Sequence, residues 1–181
     1  MSSNDIVNRI VAEFRKVERE APALGRPDWT IEVKTILCKL GRELGYTTWA
    51  TGVLADYCDG KEFLYDASWL VIDNCERTIS CLMVAECEWD NLGEVEYDFQ
   101  KLLLARSKVR VMVYDAGPAN EEYQEEICDR LREHVGTFNG TEGDTYLLIG
   151  WLHENTEKGF RFQFHRITDE GPGNPPKLKR L

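Results

Sequence analysis

Three acidic residues lie in segments that otherwise have the pattern of β-strands. Asp66 falls within FLYDASWLVI, and Glu86 and Glu88 fall within CLMVAECEW. A half-buried strand tolerates charged groups only when they are paired, hydrated or bound to a cation. Because side chains alternate along a strand, Glu86 and Glu88 should share one face, with Asp66 on the neighbouring strand of a hairpin. Three carboxylates in one small volume repel one another, and a divalent metal ion is the simplest relief.

A simpler interpretation of the two glutamates is that they face solvent on the open side of an antiparallel sheet. Leu82 and Val84 belong to the same predicted strand face and would then be exposed with them. This counts against a purely solvated face and favours a metal site. Carboxylate oxygens are hard ligands, which suit Mg²⁺ or Mn²⁺ better than zinc.

The periodicity of apolar residues predicts the elements that must position these acids. Apolar residues at helical spacing predict helices over 6–17, 28–44, 95–105 and 121–134. Alternating or continuous apolar segments predict strands over 62–70, 78–89, 109–114, 146–153 and 160–167. Short polar links make hairpins of the first two strands and of the last two.

The order of these elements predicts an α/β fold with a mixed sheet. A strand, helix, strand succession with few spare residues implies a right-handed crossover and a parallel pair, whereas the hairpins are antiparallel. We therefore expect a three-layer core with helices on both faces of a mixed β-sheet. Residues 1–170 should form a single domain. Residues 171–181, which are rich in proline, glycine and basic residues, should form a flexible basic C-terminal tail.

The acidic motifs and the element order resemble the PD-(D/E)XK nuclease superfamily, which has the restriction-endonuclease-like fold. Over residues 28–134, YDASW resembles the segment of the first metal-binding aspartate and AECEW resembles the (D/E)-x-K segment. The resemblance maps Asp66 and Glu86 to ligands of Mg²⁺ or Mn²⁺. It maps Glu88 to a catalytic group that orients or deprotonates the attacking water. Glu43 or Glu32, on the preceding helix, would supply a further supporting glutamate.

The chain departs from the superfamily at one position, because Glu88 stands where the motif usually has lysine. Some members are similar in using E-x-E, and in others the lysine has moved to the following helix. Here that helix carries Lys101, with Asp98 three residues before it on the same face. Lys101 would then stabilise negative charge at the phosphate, with Asp98 supporting it. An ordinary surface salt bridge between these two residues remains the alternative.

The net charge and the cysteine content limit the classes of protein to which this chain can belong. Twenty-two Lys and Arg against thirty-two Asp and Glu give a net charge of −10, which counts against a nucleic-acid packaging protein but not against a nuclease with one local cationic face. No segment approaches the roughly 18 apolar residues of a membrane span, so we expect no membrane association. The six cysteines form no CxxC pair, which favours reduced thiols and a cytoplasmic location.

The favoured function is a metal-dependent nuclease that hydrolyses phosphodiester bonds in DNA, in restriction, repair or defence. A homodimer is expected, because two-fold duplexes favour two-fold enzymes. The alternative is a catalytically inactive nuclease-fold protein that acts as a binding or assembly module. A third interpretation is an unrelated α/β domain in which the strand acids are structural.

Overall fold

A seven-stranded mixed sheet forms the middle layer of the molecule. The structure is a computed structural model that describes residues 1–20, 26–118, 121–153, 160–171 and 173–181. In those ranges the helices are α1 (Ser3–Glu20), α2 (Arg26–Glu43), α3 (Leu92–Leu103) and α4 (Glu121–Thr137). The strands are β1 (Thr47–Ala50), β2 (Ala67–Ile72), β3 (Thr78–Glu88), β4 (Ser107–Pro118), β5 (Thr145–His153), β6 (Phe160–Thr168) and β7 (Lys177–Arg180).

The strands lie in the sheet in the order in which they occur in the chain. β1, β2 and β3 pair antiparallel, β3, β4 and β5 pair parallel, and β5, β6 and β7 pair antiparallel. The parallel pairs are joined through α3 and α4, as the strand–helix–strand order requires. The predicted mixed α/β architecture is confirmed.

Two apolar cores, one on each face of the sheet, hold the three layers together. The first contains Phe14 of α1, Leu37 of α2 and the sheet residue Trp69, all fully buried. The second contains Phe99 of α3 and Leu131 of α4, also fully buried. Each such side chain contributes roughly 1.5–3 kcal/mol of hydrophobic free energy, which is why both amphipathic helix pairs stay on the sheet. The predicted placement of helices on both faces is confirmed.

Helix α2 lies unusually close to the sheet at Gly41. A Cβ atom added there would lie 2.6 Å from both Thr48 Cγ2 and Trp69 Nε1. The indole of Trp69 donates a hydrogen bond to the carbonyl of Leu37 at 2.9 Å, which fixes the same contact. Lys34 lies seven residues before Gly41, about two helical turns, and so shares the face that is pressed against the sheet.

The first predicted strand begins later than expected. Residues 62–66 do not belong to a regular strand, and Leu64 adopts a φ of 69°, in the left-handed region. Asp66 therefore precedes β2 instead of lying inside it. The four-residue strand β1 was not predicted, because a segment this short carries too little periodicity and its pairing with β2 is supplied from about twenty residues away.

The end of the chain contradicts the prediction of an unpacked tail. β7 pairs antiparallel with β6, and Leu178 packs against the second core. The amide of Leu181 donates to the carbonyl of Phe164 at 3.0 Å. The open edge of β6 supplies hydrogen-bond partners that no local pattern could reveal, while Lys177 and Lys179 remain exposed to solvent.

No helix in the described ranges has the length and apolar character needed to cross a membrane. All six cysteines are free thiols. Four of them are buried, among them Cys87, which lies beside the acidic residues of β3.

Candidate active site

Asp66 and Glu86 come together at the end of the β2–β3 pair. The antiparallel register places Ala67 opposite Ala85, so that the next residue on each strand, Asp66 and Glu86, are neighbours. Oδ2 of Asp66 accepts a hydrogen bond from the backbone N–H of Cys87 at 2.9 Å. The charge of Asp66 also helps to raise the pKa of Glu86. Two of the acids predicted to act together are therefore adjacent.

Glu86 is a buried carboxyl group on the face of the sheet that α3 covers. Its residue is only 3% exposed. Burial raises its pKa to about 8, and the nearby charges of Asp66 and Asp98 act in the same direction, while Lys101 opposes them. A carboxyl group in this environment gains from a further cation, because the cation favours its ionised form.

Lys101 supplies one positive charge to this carboxyl group from α3. Its Nζ lies 3.0 Å from Glu86 Oε1 and 2.9 Å from Asp98 Oδ1. Burial lowers the pKa of Lys101, but contacts with the two carboxylates outweigh that effect and raise it overall, so the side chain is cationic. Leu102 and Leu103 are buried, while the side chain of Lys101 is 40% exposed. The ammonium group is thus held by Glu86 and can still be reached from solvent.

A buried arginine fixes the end of the helix that carries Lys101. Arg110 Nε donates to the carbonyl of Leu102 at 3.0 Å, and its Nη2 donates to that of Ala105 at 2.5 Å. Asp144 balances the guanidinium, with Oδ2 2.9 Å from Nη2. These bonds satisfy carbonyl groups that a helix C-terminus otherwise leaves without partners. The position of Lys101 is therefore set by a rigid anchor and not by its own salt bridges alone.

A second lysine, which sequence reasoning missed, reaches the site from the opposite layer. Lys34 of α2 is 7% exposed, and its Nζ lies 3.5 Å from Asp66 Oδ1 and 3.5 Å from Glu62 Oε2. The sequence does hold one indication of this role. Lys34 lies four residues before Cys38 and seven before Gly41, so it belongs to the packed face of the helix. A lysine on such a face requires a partner, and Asp66 is that partner.

Glu88 does not join the other two acids. Its Oε1 accepts hydrogen bonds from the backbone N–H groups of Trp89 at 2.7 Å and Asp90 at 2.8 Å, so this oxygen caps the chain where it leaves β3. In the described part of the chain it makes no hydrogen bond or ion pair with Asp66, Glu86 or Lys101. The predicted convergence of three carboxylates is therefore wrong in this structure, because the end of the strand offers Glu88 local backbone donors.

The two glutamates expected to support the site from α2 do not reach it. Glu43 is exposed at the last residue of α2, nine residues from Lys34 and so about 13 Å away along the helix axis. Glu32 is two residues from Lys34, which turns it to a different side of the helix. Neither contacts Asp66 or Glu86 within the described residues, and Lys34 occupies the position that they were expected to fill.

The donors at the site suit a hard divalent cation bound with few protein ligands. Among the described residues, no three His, Cys, Asp or Glu side chains are gathered as a metal-binding group. Mg²⁺ is commonly held by only one or two carboxylates, together with water and the phosphates of a substrate. Asp66, just before β2, and Glu86, level with it on β3, match that smaller donor set.

No protein-family model, curated protein or solved structure matches this chain. The chemistry of the site is therefore argued from its own geometry. Two adjacent carboxyl groups flanked by a lysine from each helical layer can hold a hard cation and stabilise negative charge on a phosphate.

Proposed function

We propose that this protein is a metal-dependent nuclease that hydrolyses phosphodiester bonds in DNA. The observation that carries the proposal is the position of Lys101, whose Nζ lies 3.0 Å from Oε1 of Glu86. The resemblance in sequence implies that a lysine displaced from the E-x-E motif acts from the following helix. A solvent-accessible ammonium group next to a buried carboxyl group is the arrangement which that role requires.

Asp66 and Glu86 would hold the Mg²⁺ or Mn²⁺ ion. When bound, the ion supplies charge neutralisation at the phosphate and lowers the pKa of a water molecule. Lys101 approaches the site from its exposed side and stabilises the negative charge that develops on the phosphate. Lys34 balances Asp66 from the α2 layer and limits repulsion between the two acids.

Replacing Lys101 with methionine tests this proposal. Lys101→Met retains most of the aliphatic stem and removes no metal ligand, so the fold and Mn²⁺ binding should persist. Cleavage should fall by roughly 10²–10³, because a preorganised charge aimed at the transition state is lost. The measurement is cleavage of plasmid and single-stranded DNA with Mg²⁺ and with Mn²⁺.

Lys108→Met is the matched control. Lys108 is an exposed residue near the start of β4, at the opposite end of the sheet from the site. Within the described residues, its Nζ donates to the carbonyl of Met1 at 3.4 Å. Its loss should leave cleavage unchanged. Equal activity of the two variants would assign Lys101 to an ordinary salt bridge.

A catalytically inactive binding or assembly module is the second candidate. The observation that favours it concerns Glu88, which stands at the motif position where lysine is usual. Its Oε1 accepts hydrogen bonds from two backbone N–H groups, which gives it a structural role. This candidate predicts that the parent protein binds nucleic acid without cleaving any of the substrates above. Detectable cleavage that Glu86→Gln abolishes would exclude it.

A further inference from the structure

The ammonium group of Lys34 is shared between two carboxylates and held tightly by neither. Its Nζ lies 3.5 Å from Asp66 Oδ1 and 3.5 Å from Glu62 Oε2. Charge-assisted hydrogen bonds between nitrogen and oxygen are usually about 2.7–2.9 Å long. The two ion pairs of Lys101 come close to that length, at 2.9 Å and 3.0 Å. Lys34 is therefore the more loosely held of the two lysines at the candidate site.

The side chain of Lys34 is also shielded from solvent. It is 8% exposed, against 40% for Lys101. An ammonium group this buried needs a carboxylate partner, because the loss of its hydration is otherwise uncompensated. Among the described residues, its ion-pair partners are Asp66 and Glu62. If one of the two carboxylates is taken by another cation, the other must hold the lysine.

Asp66 has one oxygen bonded to the backbone and one in contact with Lys34. Its Oδ2 accepts from the N–H of Cys87 at 2.9 Å, which fixes the carboxylate against the sheet. Its Oδ1 is the oxygen nearest to the ammonium group. A metal ion bound to this carboxylate lies within a few ångströms of the lysine, and like charges at such a separation repel strongly where little water is present. Lys34 and a metal ion therefore compete for Asp66.

Glu62 can receive the ammonium group when a metal ion takes Asp66. It lies in the irregular segment before β2, and its side chain is 40% exposed, so it can follow the lysine. Lys34 needs only a small rotation of its side chain, because its Nζ already lies as close to Glu62 as to Asp66. The backbone of α2 can stay in place, close to the sheet at Gly41.

We propose that Lys34 occupies Asp66 in the metal-free protein and transfers to Glu62 when a divalent cation binds. Lys34 is thus a built-in competitor of the metal ion, and Glu62 sets the strength of that competition. The inference deepens the proposed function and rests on it for the identity of Asp66 as a metal ligand. Its test measures metal affinity and does not depend on cleavage.

The experiment is calorimetric titration of the metal-free protein with Mn²⁺ and, separately, with Mg²⁺. Lys34→Met should tighten binding by about tenfold, the equivalent of one charged hydrogen bond, because the competing cation is gone. Glu62→Gln should weaken binding by about threefold, since the lysine then stays on Asp66. Asp66→Asn should abolish the signal and so identify the site at which the metal binds.

The double variant distinguishes transfer of the lysine from a simple effect of charge. Once Lys34→Met has removed the lysine, adding Glu62→Gln should leave the metal affinity unchanged. Equal weakening by Glu62→Gln in the parent and in Lys34→Met would overturn the proposal, because Glu62 would then act only as a nearby negative charge.

Lys39→Met is the matched control on the same helix. Lys39 is exposed, and its Nζ lies 4.3 Å from the ring centroid of Tyr57. Its substitution removes the same charge five residues away, and the metal affinity should not change. Equal tightening by Lys34→Met and Lys39→Met would indicate a general effect of net charge and overturn the proposal. If Lys34→Met does not fold, Lys34→Gln replaces it, since the amide keeps a donor for Asp66 without the charge.

The transfer of Lys34 and the nuclease activity can fail separately. Cleavage by the parent, together with an unchanged Mn²⁺ affinity of Lys34→Met, would overturn the transfer and leave the nuclease standing. Tighter Mn²⁺ binding by Lys34→Met, in a protein that cleaves nothing, would support the transfer and refute the nuclease. Absence of Mn²⁺ binding by both proteins would overturn the transfer.

Discussion

Lys34 balances charge at the candidate site from within a nearly closed environment. It is shared between Asp66 and Glu62, at 3.5 Å from each, and its side chain is only 8% exposed. Removing one partner of a buried pair leaves the other uncompensated, whereas removing both often costs much less. Lys34 therefore explains how Asp66 is accommodated at the beginning of β2.

We predict that Lys34→Met lowers the free energy of unfolding by about 1–2 kcal/mol, less than for a fully buried pair, because Asp66 and Glu62 are partly exposed. Lys34→Met combined with Asp66→Asn should recover part of that loss. Urea denaturation of the parent, both single variants and the double variant gives the coupling energy. Strict additivity of the two changes would show that this contact contributes nothing.

His165 is a buried histidine whose pKa the folded structure lowers. It is buried in β6 opposite Arg180, and its Nδ1 has no hydrogen-bond partner within the described residues. Burial and the charge of Arg180 lower its pKa to about 4, from an ordinary value of 6.5. Between pH 4 and pH 6.5 the His165 imidazole is therefore protonated in the unfolded chain but neutral in the folded protein.

The titration of His165 should therefore lower the free energy of unfolding as the pH falls from 6.5 towards 4. His165→Gln removes this titration, so the free energy of unfolding of the variant should fall less steeply over that window. Chemical denaturation at half-unit pH steps measures the difference between the two profiles. Parallel profiles for parent and variant would contradict the assignment. A decrease in the free energy of unfolding that both proteins share arises from the titration of carboxyl groups.

At the scale of elements, the contact of α2 with the sheet sets the position of Lys34. That contact depends on Gly41, which has no room for a side chain between Thr48 and Trp69. A methyl group there must push the helix away or displace the indole from its hydrogen bond with Leu37. Overpacking of this kind typically costs 1–3 kcal/mol.

We predict that Gly41→Ala lowers the free energy of unfolding by about 1–3 kcal/mol and weakens the coupling between Lys34 and Asp66. Gly93→Ala is a suitable comparison, since the atom nearest to an added Cβ there is 3.0 Å away and belongs to the side chain of Asn91, at the helix N-terminus. Thermal and urea denaturation measure both variants. An unchanged stability for Gly41→Ala would show that α2 is not held at this distance.

At the scale of the whole molecule, the distribution of charge governs how a nucleic acid approaches. With a net charge of −10, the molecule repels a polyanion over most of its surface. A single domain of this size has little surface with which to hold a duplex. Two copies related by a two-fold axis would double the contacts to a two-fold substrate.

We therefore predict a homodimer at micromolar concentration, either free or on duplex DNA. Light scattering coupled to size-exclusion chromatography, with and without a 20-base-pair duplex, measures the mass directly. A mass of 20.9 kDa under both conditions, apart from that of bound DNA, would refute the dimer.

The sequence by itself determined the layers of the fold and the pair of carboxyl groups. Apolar periodicity predicted the four helices and most strands, because amphipathic burial is local in the chain. Hairpin pairing predicted that Asp66 and Glu86 would lie at the same level, and the pairing of Ala67 with Ala85 agrees with that. The helix spacing of Lys101 and Asp98 predicted their contact, which is 2.9 Å.

The tertiary structure decided the remaining features, since each depends on contacts between distant segments. Lys34 reaches Asp66 only because Gly41 lets α2 approach the sheet, and Glu88 turns away because the end of β3 offers it backbone N–H groups. The tail became strand β7 because β6 had an open edge.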